Sequence, residues 1–258
     1  MVLLASFNPS AHAVSVPKTF KKLATSSTLA KPGIIVFDPA TQTEIYSDAA
    51  DEPRAPASVL KIISAAAAIY AFGPDKVFNT TINSTEDPDV YILQGERDPW
   101  LTTSASEAKR SNRALSTKLI NEIINRRGDY AGLKIKFYGM FDADIKSLRT
   151  YYGNEIKFER IIKPPATPDQ EPTEISRVTS PKLRKILNFT LLWSDNVLAD
   201  RVARNAAAKL GYSRDDLSLN LAFEDTLSSL GVNSTGLKVF DGSGLSRENR
   251  VSVRTVAE

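Results

Sequence analysis

The 258 residues contain no cysteine and a single histidine, His12. The first absence removes a thiol nucleophile, thiolate metal ligation and disulfides. The second leaves too few imidazoles for a serine–histidine–acid triad or for most zinc enzymes. No run is long and apolar enough to span a membrane as a helix. Charge of one sign is not massed either: 33 Lys and Arg face 30 Asp and Glu, a net charge of +3. The two signs are interspersed, so nothing forms a patch for nucleic acid. Any covalent chemistry must therefore rest on lysine, serine, tyrosine or a carboxylate. What remains is a chain with 42% hydrophobic and 24% charged residues, enough for a full-sized core.

The N-terminus has the outline of a processed leader. Val2-Leu3-Leu4-Ala5 is short and apolar, and Ala11-His12-Ala13 has the small-x-small form of a signal-peptidase site. Residues 1–16 are read as the remnant of a secretory signal and 17–258 as one domain. This implies an extracytoplasmic location.

Hydrophobic patterning gives the elements. Gly33 to Asp38 and Glu44 to Ser47 read as two strands joined by a turn. Ser58 to Phe72 is apolar almost all round and stops at Gly73-Pro74, which predicts a buried helix. Val90 to Leu93 and Leu133 to Phe141 predict strands, and Arg113 to Arg127 a helix ending at Gly128. Residues 152–175 are polar and carry Pro164, Pro165, Pro168 and Pro172, which predicts a linker. Ser180-Pro181 predicts a helix start, with further helices running from Asn196 to Gly211 and ending at Gly231. Strands with helices inserted among them predict an α/β or α+β fold.

Ser58-Val59-Leu60-Lys61 heads the apolar helix. Residues three apart share a helix face, so the hydroxyl and the amine can meet. Unpaired amides at a helix start favour negative charge on the serine oxygen. An apolar setting lowers the lysine pKa towards the range in which it accepts a proton. Ser-x-x-Lys occurs three times, at Ser15, Ser58 and Ser106, but only Ser58 stands in apolar surroundings. The plainer alternative is a capping serine and a snorkelling lysine. Ser194-Asp195-Asn196 falls between two predicted helices, where it can present side chains to a cleft or simply cap the second helix.

Serine-x-x-lysine with serine-x-asparagine is the beginning of a penicillin-recognising signature. On these two motifs, on the opening strands at Gly33–Asp38, on Val197-Leu198-Ala199-Asp200 and on the run Asp241-Gly242-Ser243-Gly244-Leu245-Ser246-Arg247 with Asn249–Ser252, the chain resembles the low-molecular-mass class C penicillin-binding proteins, D-alanyl-D-alanine carboxypeptidases and endopeptidases. The resemblance implies a transpeptidase-like antiparallel sheet against a helical cluster. It also implies a catalytic set of Ser58, Lys61, Ser194 and Asn196, and substrate contacts from Asp195, Ser243 and Gly244. Its substrate would be a peptidoglycan stem peptide ending in D-Ala-D-Ala, with β-lactams as covalent inhibitors and no cofactor or metal. A serine β-lactamase and a non-catalytic wall-binding protein are the alternatives.

Three departures stand out. No Lys-Thr-Gly occurs; Lys31-Pro32-Gly33 comes nearest, but lies before the nucleophile. On that ground the chain is expected to lack the family's last strands. The two motifs lie 136 residues apart, a short interval in which the family's accessory insertion is expected to shrink to the linker near 152–175. Gly95-Glu96-Arg97-Asp98-Pro99 stands where the family has a glycine-rich run, which puts that loop's backbone in question.

Overall fold

The β-branched segment Ile34–Phe37 (β1) pairs antiparallel with Glu44–Asp48 (β2), as the hairpin pattern predicts. Asp38 shapes the turn by accepting from the Ala40 N–H at 2.8 Å. A short helix, Lys18–Ala24 (α1), precedes the hairpin. The computed structural model describes residues 15–163 and 173–258. The leader expected over 1–16 therefore lies almost wholly outside the described residues. Among those described, no helix is long and apolar enough to cross a membrane.

A 3-10 turn, Ala57–Val59, leads into Leu60–Phe72 (α2). The helix was expected to be buried all round, yet Ile62, Ile69 and Tyr70 are exposed. Its buried face carries Leu60, Lys61, Ile63, Ser64 and three alanines. Those alanines pack against the alanine-rich face of Asn196–Lys209 (α7), where small side chains let two helices approach closely. Leu183–Trp193 (α6) and Asp216–Ser229 (α8) complete this first hydrophobic cluster. α6 begins later than predicted. The Ser180 hydroxyl accepts from the Phe78 N–H at 2.9 Å instead of capping a helix.

The second cluster lies under a five-stranded sheet of order β8-β7-β4-β3-β9, made of Asn79–Ser84 (β3), Val90–Gly95 (β4), Lys134–Tyr138 (β7), Lys157–Arg160 (β8) and Glu174–Thr179 (β9). Between β4 and β7 come a small parallel pair, Leu101–Thr102 (β5) and Ala114–Leu115 (β6), with Ala105–Ser111 (α3) between them, and then Thr117–Arg127 (α4). Asp142–Tyr152 (α5) connects β7 to β8. Helical crossovers make β4–β7 and β7–β8 parallel, whereas β3 pairs antiparallel with β4 and β9. The α/β class stands: the β1–β2 pair is antiparallel, and the five-stranded sheet is mixed. A last short helix, Val253–Ala257 (α9), contacts β1.

Two expectations are corrected. The stretch near 152–175 is not a linker in its described parts: it ends α5, adds the edge strand β8 and begins β9. β8 escaped notice because three of its four residues are charged and only Phe158 turns into the core. Residues 164–172, with the four prolines, lie outside the described residues. The helix expected from Arg113 starts instead at Thr117. Arg113 is buried, donating to the carbonyls of Pro99, Trp100 and Leu101 and pairing with Glu107.

The 95–99 loop does take a backbone conformation suited to glycine. Arg97 has φ +54°, a left-handed value costing a non-glycine residue about 1 kcal/mol. Its N–H donates to the Gly139 carbonyl at 2.7 Å. A Cβ on Gly139 would run into the Gly95 carbonyl, so both glycines are required for this approach.

Next to the loop, Asp98 is buried at the junction of the two clusters. One carboxyl oxygen accepts from the Trp100 N–H at 2.8 Å, and the other has no partner. Burial raises its pKa to about 7, with nearby Asp144 adding to the rise and Arg113 and Arg201 opposing it. The folded state thus retains a proton that the unfolded chain loses near pH 3.8. Stability from this group is fully present below about pH 4 and is lost as pH rises towards 7, a span on the order of 4 kcal/mol. Asp98→Asn mimics the protonated acid and is expected to flatten that fall. Urea unfolding at pH 5 and pH 8 checks it; an unchanged pH slope in the variant would refute the assignment.

Candidate active site

Lys61 is 2% exposed, and its ammonium is fully committed. Its Nζ donates to Ser58 Oγ at 3.0 Å, to Asn196 Oδ1 at 2.7 Å and to the Ser243 carbonyl at 2.8 Å. An ammonium has three N–H bonds, and each has one acceptor. Loss of one proton would leave two donors for Asn196 and Ser243 and a lone pair facing the Ser58 hydroxyl. Burial lowers the lysine pKa, while Asp241 and Asp195 oppose the shift. The snorkelling alternative is thus excluded: the chain puts this lysine inside.

Ser58 is held from a second side. Ser194 Oγ donates to Ser58 Oγ at 2.8 Å. Ser194 ends α6 in a left-handed conformation, φ +53°, which swings its side chain out of the helix and towards α2. The capping role belongs to its neighbour. Asp195 accepts from the Leu198 N–H at 3.0 Å as the N-cap of α7. Asn196 is the first residue of α7, with its amide oxygen on Lys61. Ser58 lies in the 3-10 turn ahead of α2, where amides lack helical partners.

The loop after Phe240 closes the site. The Asp241 carboxylate accepts from the N–H groups of Ser243, Gly244, Leu245 and Ser246, from the Ser243 hydroxyl and from the Asn249 amide, at 2.6–3.2 Å. Burial acts to raise its pKa, but these hydrogen bonds outweigh it and hold the carboxyl at about 2. The loop presents the Ser243 carbonyl to Lys61, while the Ser243 hydroxyl turns back to Asp241. Gly244 has φ +82°, and a Cβ there would strike the Ala57 carbonyl beside the nucleophile.

A cleft of about 280 Å³ opens over these groups, lined by Ser58, Asn196, Ser243, Gly244, Leu245 and Arg247 among others. Of the seven residues expected at the site, Ser58, Lys61, Ser194, Asn196 and Ser243 are joined by hydrogen bonds, Gly244 lines the same cleft, and Asp195 caps α7. Sequence reading missed three groups: Asp241, and two that dock its loop. The Ser64 hydroxyl donates to the Gly242 carbonyl at 2.6 Å, and Asp200 accepts from the Gly242 N–H at 2.9 Å. Both were open to the helix-face rule, because Ser64 follows Lys61 by three residues and Asp200 follows Asn196 by four. Among the described residues, no cluster of acids suits a metal ion.

The chain is similar to Carboxypeptidase DacB of Mycolicibacterium smegmatis, at 26% identity over 91% of this chain and 62% of that protein. It is 34% identical to a D-alanyl-D-alanine carboxypeptidase of Actinomadura sp. over 33% of this chain and 17% of that one. The chain thus spans about six-tenths of the first relative's length. Its fold matches penicillin binding protein 4 from Haemophilus influenzae with a TM-score of 0.63 at 15% identity, covering 87% of this chain and 73% of that one. It also matches a predatory peptidoglycan endopeptidase of Bdellovibrio bacteriovorus with a TM-score of 0.58 at 16% identity, covering 87% and 68%; that protein has been solved acylated by penicillin G as well. The D-Ala-D-Ala carboxypeptidase 3 (S13) family matches residues 18–126 and 143–258, and the chain belongs to that family.

Proposed function

We propose that the chain carries the acylation site of a serine-type D-alanyl-D-alanine carboxypeptidase or endopeptidase acting on peptidoglycan stem peptides. The observation that carries this reading is the buried Lys61 amine, hydrogen-bonded at once to Ser58, Asn196 and the Ser243 carbonyl. Ser58 Oγ attacks the carbonyl of the terminal D-Ala-D-Ala amide and passes its proton to neutral Lys61. The Ser58 N–H supports the developing oxyanion. The tetrahedral intermediate collapses, the C–N bond breaks, and D-alanine leaves with a proton relayed through Ser194. Asn196 holds the lysine and meets the peptide backbone. Water then attacks the ester and frees Ser58. No cofactor is needed. A peptidoglycan substrate places the reaction outside the cytoplasm, in keeping with the leader-like N-terminus. In the same reading the sheet of residues 79–179 is an insert carried on one transpeptidase-like domain spanning 17–258.

A labelled penicillin tests the proposal. Mass mapping is expected to find the label on Ser58, and a long-lived acyl-enzyme separates a peptidase from a β-lactamase. Rapid release of hydrolysed penicillin would favour the β-lactamase. A folded chain in which Ser58 never takes up label would overturn the proposal.

A further inference from the structure

A second cavity lies away from Ser58. It is a groove of about 980 Å³ between the β6–α4 segment of the sheet-bearing region and helix α6. Its lining among the described residues includes Arg113, Lys118, Arg184 and Lys185 but no acidic side chain. That bias is local, since the whole chain holds 33 cationic and 30 acidic residues. Arg113 is buried and neutralised by Glu107. Lys118 and Lys185 are exposed and form no ion pair among the described residues. Arg184 shares the single carboxylate of Asp75 with Lys182, each at 3.2 Å, so positive charge is left over there too.

The floor is apolar. Trp100 and Phe189 meet edge to face, with ring centroids 5.1 Å apart, and Leu192, two residues before Ser194 in the chain, also lines the groove. Cations around an apolar floor suit an extended chain that carries carboxylates on a partly apolar backbone. The volume falls within the range of sites that hold a small organic ligand.

We propose that this groove is a second binding site, for a carboxylate-bearing peptide stretch of the wall polymer away from the bond that is cut. The proposal rests on the peptidoglycan reading given above. Binding there would raise the local concentration of substrate at Ser58 through one continuous polymer.

Co-sedimentation with insoluble peptidoglycan stripped of phosphate polymers tests it. The triple variant Lys118→Ser, Arg184→Ser, Lys185→Ser is expected to bind about tenfold more weakly and to lose most of the salt dependence shown by the unaltered chain. A control variant, Lys134→Ser, Lys157→Ser, Lys209→Ser, removes three exposed cations elsewhere and is expected to bind like the unaltered chain. Peptidoglycan with its stem carboxylates amidated is expected to release the unaltered chain. Equal binding by the groove variant, an equal loss in the control, or binding only to wall that retains its phosphate polymers would each overturn the proposal. Penicillin labelling of Ser58 is read in parallel: a groove variant that is labelled normally but no longer sediments supports the groove. Failure of labelling in every variant, with sedimentation still groove-dependent, would sink the catalytic reading and leave the groove standing.

Discussion

Replacing Lys61 by methionine is expected to slow penicillin acylation of Ser58 by about three orders of magnitude, the scale of a lost general base. Methionine approximates the length of the lysine stem and belongs in a buried site, so the first hydrophobic cluster should keep its packing. The cost to the fold is limited to the acceptors left behind, Asn196 Oδ1 and the Ser243 carbonyl, each worth roughly 1–2 kcal/mol when unpaired. Removing a buried cation offsets part of that. Two readouts are needed: the rate of acylation by labelled penicillin, and a thermal melt to show that the variant is folded. The pH profile adds a third. Burial lowers the Lys61 pKa, so the acylation rate of the unaltered chain is expected to rise with pH through a limb lying below the ordinary lysine range. That limb should vanish in the variant. If Lys61→Met is acylated at the normal rate with the same pH dependence, the base is some other group.

The second large effect is expected at Asp241, which has no contact with the nucleophile. Its carboxylate gathers six donors from a nine-residue stretch and fixes the loop that offers the Ser243 carbonyl to Lys61. Asp241→Ala removes every acceptor at once and leaves buried amides unpaired, at a cost of about 3 kcal/mol. The same change frees the loop, and Lys61 loses one of its three partners. Acylation of Ser58 is then expected to fall about a hundredfold even at temperatures where the fold survives. Asp241→Asn is the informative partner, since it keeps one acceptor oxygen and turns an NH2 group towards backbone N–H groups. It should fall between the two. The group also adds an acid limb to stability: its pKa is depressed to about 2, so its contribution is present above about pH 4 and is lost as pH falls through 2. Urea unfolding at pH 7 and pH 3 and penicillin acylation together check this. Full acylation in Asp241→Ala would show that the loop holds Lys61 by some other contact.

Both effects depend on contacts across long stretches of chain, and that separates what could be read early from what could not. The hairpin β1–β2, the helix behind Ser58, and the turn between α6 and α7 were legible because periodicity and stop residues are local signals. Ser58, Lys61, Ser194 and Asn196 were legible as short motifs, although two other Ser-x-x-Lys strings matched equally well by spacing. The strand β8 was hidden by its charges, since an edge strand buries only one residue here. That Asp195 caps α7 became visible only from the chain's path.

The bare sequence narrowed the chemistry that was open: without cysteine and with one histidine, covalent catalysis was left to lysine, serine, tyrosine or a carboxylate. It also determined the family resemblance, through the Asp241–Ser252 run. The packed fold adds that Lys61 is buried rather than snorkelled, that Ser194 lies 2.8 Å from Ser58 across 136 residues, and that Asp241 holds the loop beside them in shape. The physical reason is that a lysine's basicity depends on its desolvation and on the geometry of its acceptors. Both are properties of the packed helices α2 and α7 and of the loop laid across them, and neither is written in any one segment.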